Sequence, residues 1–329
     1  MVNTMNEKKS PYLLITLSLV AVFMLALAAG CTGNQTKTTG ATQVPTASPT
    51  VVATMAPVST TAAPVMTSAP VSSGQKQTIK VSGSTTVLPI VQKAADQYMA
   101  AHPDADIQVS GGGSGVGVQA ISARTVDIGM SSRDITKDEM TKNPGFVVTT
   151  VAQDGIAVIV NPANEIKYIT LDQIRDIYLG KITKWTQITG ANVPGTSNQI
   201  VVIGRDSASG TRTYFDQTVL SSATPTKTML EQNSNGGVSQ GVAQTPGAIG
   251  YVSIGFVDKS VKALPIWYNY DKIIAPSIDN VKTKTYPVSR NLYVITNGQP
   301  SGLTSDFIKY ILSPEGQKIV ADEGYVALS

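Results

Sequence analysis

Short apolar runs alternate with segments of helical periodicity from residue 77 to the end of this chain. The apolar runs predict strands at 78–81, 107–109, 126–130, 147–152, 156–160, 200–203, 249–252 and 291–296. Apolar residues three or four positions apart predict helices at 90–99, 116–122, 171–179, 211–220, 236–244, 304–312 and 314–322. Alternating strands and helices favour an α/β architecture.

A different pattern occupies residues 1–31. Two lysines precede an apolar segment at 13–29, which runs into Ala28-Ala29-Gly30-Cys31. A basic start, an apolar middle and an end of small residues predict a signal peptide. Its end resembles a lipoprotein processing box, with Ala28 where that box prefers Leu. We therefore expect either lipidation of Cys31 or a retained membrane anchor, and both place the folded part outside the cytoplasmic membrane.

Residues 32–76 are of low complexity. They are rich in Thr, Ala, Pro and Ser and contain no acidic residue. Such a segment buries too little apolar surface to offset the entropy lost on ordering. It is predicted to be a disordered stalk that tethers the folded part to the membrane, and its Ser, Thr and Pro content is compatible with O-glycosylation.

Composition excludes several kinds of site. The chain has one Cys, one His and a formal net charge of +3 at pH 7. A single cysteine excludes a disulfide within the chain, and with a single histidine it excludes a Cys/His zinc cluster. The small net charge, without a basic run that alternates with aromatic residues, argues against nucleic-acid binding. Neither a metal nor a cofactor is expected.

Catalytic motifs are not evident in the sequence. His102 precedes Pro103 at the expected end of a helix, so a Ser/His/Asp triad has no convincing base. The glycine-rich run at 111–115 is not followed by Gly-Lys-Ser/Thr, which excludes a P-loop. Carboxylates are few and scattered, so no paired-acid site stands out. A binding protein is expected rather than an enzyme.

One stretch has the chemistry of an anion site. Arg205-Asp-Ser-Ala-Ser-Gly-Thr211 follows the predicted strand at 200–203 and opens the predicted helix at 211–220. The first N–H groups of a helix have no partner within the helix, and together with the helix dipole they favour an anion. Arg205 adds a planar fork of donors that suits a tetrahedral oxyanion.

Similar chemistry recurs at three other places, namely 82–86, 111–115 and the strand end at 131–134. Each one alone has an ordinary explanation, because glycine runs form flexible turns and Ser or Thr before a helix is commonly an N-cap. Their recurrence in the same structural context, with Arg133 and Arg205, predicts that several turns together bind an oxyanion.

Four motifs in this order resemble a known family. They are Val81-Ser-Gly-Ser-Thr-Thr-Val-Leu-Pro-Ile90, Ser110-Gly-Gly-Gly-Ser-Gly115, Asp127-Ile-Gly-Met-Ser-Ser-Arg133 and Arg205-Asp-Ser-Ala-Ser-Gly-Thr-Arg212. The set is similar to the motifs of PstS-like phosphate-binding proteins of ABC transporters. The resemblance extends over nearly all of 77–329.

The resemblance implies a two-lobed periplasmic-binding-protein-like fold of type II, with the ligand in the cleft between the lobes. Lobe 1 would comprise about 77–155 and 252–329, and lobe 2 about 156–251. The lobes would close on the ligand by a hinge motion. The ligand-binding residues implied in this way are Thr85, Thr86, Ser114, Ser132, Arg133, Arg205, Ser209, Gly210 and Thr211.

The implied function is capture of inorganic phosphate outside the cell membrane and its delivery to the permease subunits of an ABC importer. The protein would be tethered to the outer face of the cytoplasmic membrane. Two alternatives stay open: another tetrahedral oxyanion, such as sulfate, tungstate or molybdate, or a surface phosphate sensor or adhesion protein with the same fold.

Ser132 bears on the choice of anion. Some members of the family have an Asp there, which accepts the proton of hydrogen phosphate and so selects against sulfate. A serine hydroxyl both donates and accepts, so it discriminates less sharply. Asp134, Asp154 and Asp206 are alternative proton acceptors, and the sequence does not decide among them.

Overall fold

The computed structural model describes residues 76–269 and 271–328. The predicted signal peptide, Cys31 and the predicted stalk up to residue 75 lie outside the described residues. In the part of the chain that is described, no helix combines the length and the apolar character needed to cross a membrane.

Strands and helices alternate along the described chain. The strands are β1 Gln77–Gly83, β2 Ala105–Ser110, β3 Ile128–Ser131, β4 Phe146–Val160, β5 Val201–Arg205, β6 Leu230–Gln232, β7 Ala248–Ser253, β8 Lys262–Ala263, β9 Ile266–Tyr268, β10 Lys272–Ile274 and β11 Ser289–Asn297. The α-helices are α1 Leu88–Ala101, α2 Ser114–Ser122, α3 Lys137–Lys142, α4 Leu171–Tyr178, α5 Gly210–Thr218, α6 Asn235–Gln244, α7 Ile278–Lys282, α8 Gly302–Leu312 and α9 Pro314–Asp322.

The main sheet has the strand order β2-β1-β3-β11-β4-β7-β5-β6. Strands β2, β1 and β3 are mutually parallel at one end, and β7, β5 and β6 are parallel at the other. Between these groups, β11 and β4 pair antiparallel with their neighbours. Two parallel groups are therefore joined by two long antiparallel strands.

Strand β4 corrects the prediction of separate strands at 147–152 and 156–160, because it runs unbroken from Phe146 to Val160. Its first part pairs with β11, and its last five residues pair with β7. Asp154 lies just before the change of partner, in the gap between the two predicted strands. The strand continues because Asp154 is buried against Arg290 of β11.

Two large hydrophobic clusters contain different parts of this strand. One joins α1, α8, α9 and the sheet around β1, and it includes Val151 and Leu292. The other extends from Ile156 to Val288 and includes Val326. This division agrees with the expected two-lobed α/β fold. Because Ile266 and Val288 belong to the second cluster, we propose that the chain returns to lobe 1 near residue 289 rather than near 252.

Strand register brings the predicted turns together. In the parallel pair of β1 and β3, Gly83 lies opposite Met130, so the turn at 84–86 lies beside Ser131 and Ser132. Strand β5 ends at Arg205, and the helix α5 begins five residues later. In α/β sheets, ligands bind beyond the carboxyl ends of the parallel strands. The described fold places the candidate residues at such ends in both lobes.

Candidate functional site

Arg205 is a buried cation with one unsatisfied side. Its Nε donates to the Gln232 carbonyl at 3.1 Å, and Nη2 donates to Thr85 Oγ1 and the Asn233 carbonyl, both at 3.1 Å. Its Nη1 atom is buried and has no hydrogen-bond partner among the described residues. Burial lowers the pKa of Arg205 to about 10, so the side chain stays charged at neutral pH. A buried charged donor without an acceptor is costly, which favours an anion at this position.

The helix α5 begins beside this guanidinium. Ser209 is its N-cap, and the serine hydroxyl accepts the N–H of Arg212 at 3.2 Å. The N–H groups of Gly210 and Thr211 occupy the first helical positions, which have no acceptor within a helix. The Ser209 hydroxyl thus shapes the helix start, while the two N–H groups add donors to the site.

Thr86 approaches α5 from the opposite lobe. Its backbone N–H donates to Ser84 Oγ at 3.2 Å, which holds the turn before α1. The hydroxyl groups of Thr86 and Thr211 lie 3.1 Å apart, and both side chains are buried. Turns from the two lobes therefore meet through hydroxyl groups.

Ser114 and Ser132 form a second pair of hydroxyl groups. The N–H of Ser132 donates to Ser114 Oγ at 3.0 Å, and the two Oγ atoms lie 3.3 Å apart. Gly210 lies directly against them, because a Cβ built there would be 2.1 Å from Ser114 Oγ. A side chain at position 210 would thus occupy the space into which Ser114 points.

The backbones of the two lobes also touch. The N–H of Gly115 donates to the Ala208 carbonyl at 2.9 Å. Gly113 has φ +97°, and a Cβ there would approach the Ala208 carbonyl oxygen at 2.6 Å. The glycine-rich turn before α2 therefore needs glycine for close contact with the Arg205 loop, and the lobes are in contact in this structure.

These residues are named here the cleft cluster. It comprises Thr85, Thr86, Ser114, Ser132, Arg205, Ser209, Gly210 and Thr211. The structure brings together eight of the nine residues predicted to bind the ligand, and the exception is Arg133. Their roles as ligand contacts stay a prediction.

Arg133 points away to a carboxylate. Its Nη1 and Nη2 atoms donate to the two oxygens of Glu139 at 2.8 and 2.7 Å. Hydrogen bonds from Arg133 hold the pKa of Glu139 down to about 2. Glu139 also accepts the N–H of Thr136 in the capping box of α3. The structure thus directs the Arg133 guanidinium to the start of α3 and away from the other predicted site residues.

Arg290 was not among the predicted site residues, yet it reaches the cleft cluster. Its Nη1 donates to the Ser132 carbonyl at 2.9 Å, and its Nη2 contacts Thr86 and Thr211. Its Nη2 and Nε atoms lie 2.7 and 3.0 Å from Oδ2 of Asp154. Both charged side chains are almost fully buried.

The sequence holds a signal for Arg290. In a strand, alternate residues share a face. Arg290 directly precedes the strand predicted at 291–296 and alternates with Leu292 and Val294, and all three are buried. An arginine on an apolar face requires a buried partner, and the only way to find that partner is to know that β11 pairs with β4.

Asn235 is a second residue that sequence reasoning missed. It is the first residue of α6, and its Nδ2 donates to Thr86 Oγ1 at 2.9 Å. Its Oδ1 accepts the N–H of Ser253 at 3.3 Å. In sequence, an Asn beside Ser234 at a helix start is indistinguishable from ordinary capping chemistry.

Comparison with known proteins places this geometry in a family. Residues 31–315 match the model of the PBP superfamily domain. The phosphate-binding protein PstS of Bacillus subtilis (strain 168) is 36% identical over 253 residues, which covers 76% of this chain and 81% of that protein. The chain belongs to the PstS-like family of the PBP superfamily.

Solved structures of PstS-like proteins agree with the fold. A Clostridium perfringens protein, assigned as a phosphate ABC transporter substrate-binding protein and solved with bound phosphate, has a TM-score of 0.70 and 33% identity. The match covers 77% of this chain and all of that one. An ABC-type phosphate transport receptor from Vibrio cholerae has a TM-score of 0.62 and 33% identity, and the match covers 75% of this chain and 99% of that one. These relatives are binding proteins, and PstS-type binding proteins are extracytoplasmic.

Proposed function

We propose that this PstS-like chain is an extracytoplasmic solute-binding protein, and not an enzyme, that captures inorganic phosphate and delivers it to an ABC importer. The names of its relatives support phosphate as the ligand and a transporter as the partner. The cleft cluster supports an oxyanion independently of those names, because its members are hydroxyl groups, helix N-termini and a cation.

The unpartnered Nη1 of Arg205 is the observation that carries this proposal. It is a charged donor buried in the described structure, and the same guanidinium binds the Thr85 hydroxyl of lobe 1 and the Gln232 and Asn233 carbonyl groups of lobe 2. A tetrahedral anion offers acceptors in several directions at once, so one ligand can satisfy donors from both lobes. Binding would thereby favour the closed arrangement of the lobes.

We assign the ligand contacts to the eight residues of the cleft cluster, which does not include Arg133. Arg205 would supply the charge, while Gly210 and Thr211 would donate backbone N–H groups at the start of α5. Thr85, Thr86, Ser114 and Ser132 would supply hydroxyl groups from lobe 1, and Ser209 would order the N-terminus of α5.

The acceptor for the phosphate proton is a separate question. Asp134 accepts the Tyr293 hydroxyl at 2.5 Å, and Asp206 accepts the N–H of Ala208 at 3.0 Å. Asp154 accepts from Arg290 and Ser253. Each carboxylate is thus engaged by protein donors, which leaves the Ser114 and Ser132 hydroxyl pair as the acceptor. A hydroxyl acceptor predicts weaker rejection of sulfate than a carboxylate would give.

Calorimetry on the purified full-length chain tests the proposal. Titrations with phosphate, sulfate and molybdate should give the highest affinity for phosphate, with sulfate as a detectable competitor. Absence of heat with phosphate at micromolar protein concentration would refute the assignment. Tighter binding of sulfate or molybdate than of phosphate would show that the site is specific for another oxyanion.

The N-terminal region completes the proposed role. We propose that Cys31 is lipidated and that residues 32–76 tether the binding domain to the outer face of the cytoplasmic membrane. Membrane fractionation of cells that produce the wild-type chain or Cys31→Ser tests this. The wild-type chain should sediment with membranes and the variant should be released, whereas membrane association of both would favour a retained anchor.

A further inference from the structure

Arg290 contacts both sides of the cleft from a strand that runs between them. Its Nη2 lies 3.3 Å from Thr86 Oγ1 and 3.0 Å from Thr211 Oγ1. A guanidinium group has N–H donors and no acceptor. Nη2 has two N–H groups, and one of them is directed to Asp154 Oδ2, so the other is shared between the two threonine oxygens. Both threonine oxygens therefore accept from Arg290, and their own protons point elsewhere.

Thr86 receives a second donor from Asn235, whose Nδ2 lies 2.9 Å from Thr86 Oγ1. The orientation of the Asn235 amide follows from its Oδ1, which accepts the N–H of Ser253. A hydroxyl oxygen has two lone pairs and one proton. Because Arg290 and Asn235 occupy the lone pairs of Thr86, this hydroxyl group has only its proton left to offer.

Thr211 is the protein acceptor within reach of that proton, with its Oγ1 3.1 Å from that of Thr86. Thr211 Oγ1 then accepts from both Thr86 and Arg290, so its own proton is directed away from them. We propose that Arg290, held by Asp154, is a positioning residue that makes the Thr86 hydroxyl donate to Thr211 and the Thr211 hydroxyl donate to the bound anion. This inference rests on the proposed function and adds to it the proton polarity of the site.

The polarity has a consequence for the ligand. A fixed donor favours an unprotonated ligand oxygen, because a P–OH group there would place donor against donor. Ser114 and Ser132 differ, since their hydroxyl groups contact each other and either one can donate. The cleft cluster thus has one side of fixed donors and one adaptable side. Hydrogen phosphate, with a single P–OH group, fits it better than dihydrogen phosphate.

Protein groups around the two threonines could also depend on pH. Asp154, Arg205 and Tyr325 interact with Arg290, and the Tyr325 hydroxyl also donates to the Thr86 carbonyl. Asp206 and Tyr251 interact with Arg205, Tyr286 interacts with Asp154, and Arg212 follows Thr211 in the chain. Burial raises the pKa of the three tyrosines further above neutrality and lowers that of Arg205 only to about 10. Burial also raises the pKa of Asp154, and the charge of Arg290 opposes that rise. Sulfate keeps its charge in this range and reports any such change in the protein.

The experiment measures phosphate and sulfate affinities of the purified full-length chain at about pH 6 and about pH 8, by calorimetry, directly or in competition. For the wild type, the ratio of phosphate to sulfate affinity should be roughly tenfold higher at the higher pH, as one linked proton requires. For Arg290→Lys, we expect a rise of less than about threefold, because a compact ammonium group cannot reproduce the fork of donors.

Asn235→Asp is the second test variant. It keeps an oxygen for the N–H of Ser253 but replaces the donor to Thr86 by an acceptor, so it should also flatten the ratio. Its added negative charge weakens the binding of both anions, so this effect cancels to first order in the ratio of the two affinities. Arg175→Lys is the matched control, since Arg175 donates to the Val219 carbonyl and Ser221 outside the cleft cluster, and it should keep the wild-type rise.

Each outcome has a defined meaning. No phosphate binding by the wild type would refute the proposed function itself. Phosphate binding with a ratio that does not change with pH would leave the function in place and overturn the positioning role. If the ratio of phosphate to sulfate affinity rises with pH in both Arg290→Lys and Asn235→Asp as it does in the wild type, the positioning role is overturned as well. Circular dichroism measures whether each variant folds. If Arg290→Lys does not fold, the result with Asn235→Asp decides the test.

Discussion

Two buried arginines lie at the cleft, Arg205 as a member of the cleft cluster and Arg290 in contact with it, and their surroundings differ. Arg290 has a carboxylate partner, with its Nη2 at 2.7 Å from Asp154 Oδ2. Arg205 has carbonyl and hydroxyl partners, and its Nη1 has none in the described part of the chain. A buried cation that is neutralised by the protein is suited to a structural role beside the site. A buried cation that is not neutralised there is suited to bind an anion from outside.

The chain positions of the two arginines explain this difference. Arg290 lies inside the sheet, on β11, where its neighbour strand β4 supplies Asp154 directly opposite. Arg205 is the last residue of β5, where the sheet ends and a loop leads to α5. Within a sheet, a charge can be paired through strand register. At a strand end, the same charge faces the cleft.

The largest predicted effect follows from the neutralised pair. Arg290→Met leaves Asp154 buried without its cation and should lower the free energy of unfolding by about 3–5 kcal/mol. Urea denaturation of the full-length chain without phosphate, followed by tryptophan fluorescence, measures this. A loss below about 1 kcal/mol would mean that Asp154 is not ionised against Arg290 in the native state.

A double variant separates the lost charge pair from lost packing. Because well-packed apolar residues replace buried ion pairs at little cost, Arg290→Met with Asp154→Leu should recover most of the stability. The control is Lys309→Met on α8, whose ion pair with Asp306 is exposed and should change stability by less than about 1 kcal/mol. A double variant as unstable as the single one would indicate that the hydrogen bonds to Thr86 and Thr211 dominate.

Local patterns predicted much of this molecule. The period of the apolar residues indicated the longer strands and helices near their observed places, although it divided β4 in two and missed the short elements β6, β8, β9, β10, α3 and α7. Four strand-end turns rich in small polar residues indicated the cleft. Thr85, Thr86, Ser114 and Arg205 could be identified because each stands within a few residues of a glycine-rich or hydroxyl-rich turn. The hydrogen-bond donors of such a turn come from consecutive residues, so the local sequence reveals them.

Residues whose partners are distant in sequence were harder to predict. Arg290 and Asp154 are 136 positions apart, and only the pairing of β11 with β4 brings them together. Arg133 is the opposite case, because it stands in a site motif but its guanidinium binds Glu139, six residues later. Charge and spacing within a motif do not reveal which carboxylate a side chain will reach.

Removal of the other arginine should affect binding more than stability. Arg205→Ala should weaken phosphate binding by about 1.5–3 kcal/mol, which is the value of a hydrogen bond to a charged group. The unliganded protein should lose less stability than with Arg290→Met, because no buried carboxylate is left unpaired. Calorimetry and urea denaturation on the same preparations test both statements. Unchanged phosphate affinity would place the ligand elsewhere.

Gly210 tests the contact between the two sides of the cleft. A Cβ at this position would lie 2.1 Å from Ser114 Oγ, so Gly210→Ala should push the lobes apart and cost about 1–3 kcal/mol of phosphate affinity. Gly236→Ala is the matched control in the first turn of α6, where a Cβ would meet no atom within 4 Å. Small-angle scattering with and without phosphate should show less closure for Gly210→Ala. Equal affinities for the two variants would show that the lobes need not approach this closely.

The smallest effect concerns a carboxylate on the Arg205 side. Asp216 on α5 lies 3.4 Å from Arg212 Nε, and its Oδ1 is buried without a hydrogen-bond partner among the described residues. Burial raises its pKa from 3.8 to about 6, and Arg212 opposes this rise. Since the folded pKa is the higher one, Asp216 contributes stability at pH values below its ordinary pKa, and this contribution is lost as pH rises through about 6.

Asp216→Asn removes that dependence. The difference in unfolding free energy between the wild type and the variant should shift against the wild type between about pH 4 and about pH 7, as measured by urea denaturation at several pH values. Phosphate affinity should change little, because Asp216 contacts Arg212 and not the cleft cluster. A parallel pH course for the two proteins would mean that Arg212 neutralises Asp216 as fully as Arg290 neutralises Asp154. Of the buried charged groups compared here, Arg205 would then be the one that the protein does not neutralise.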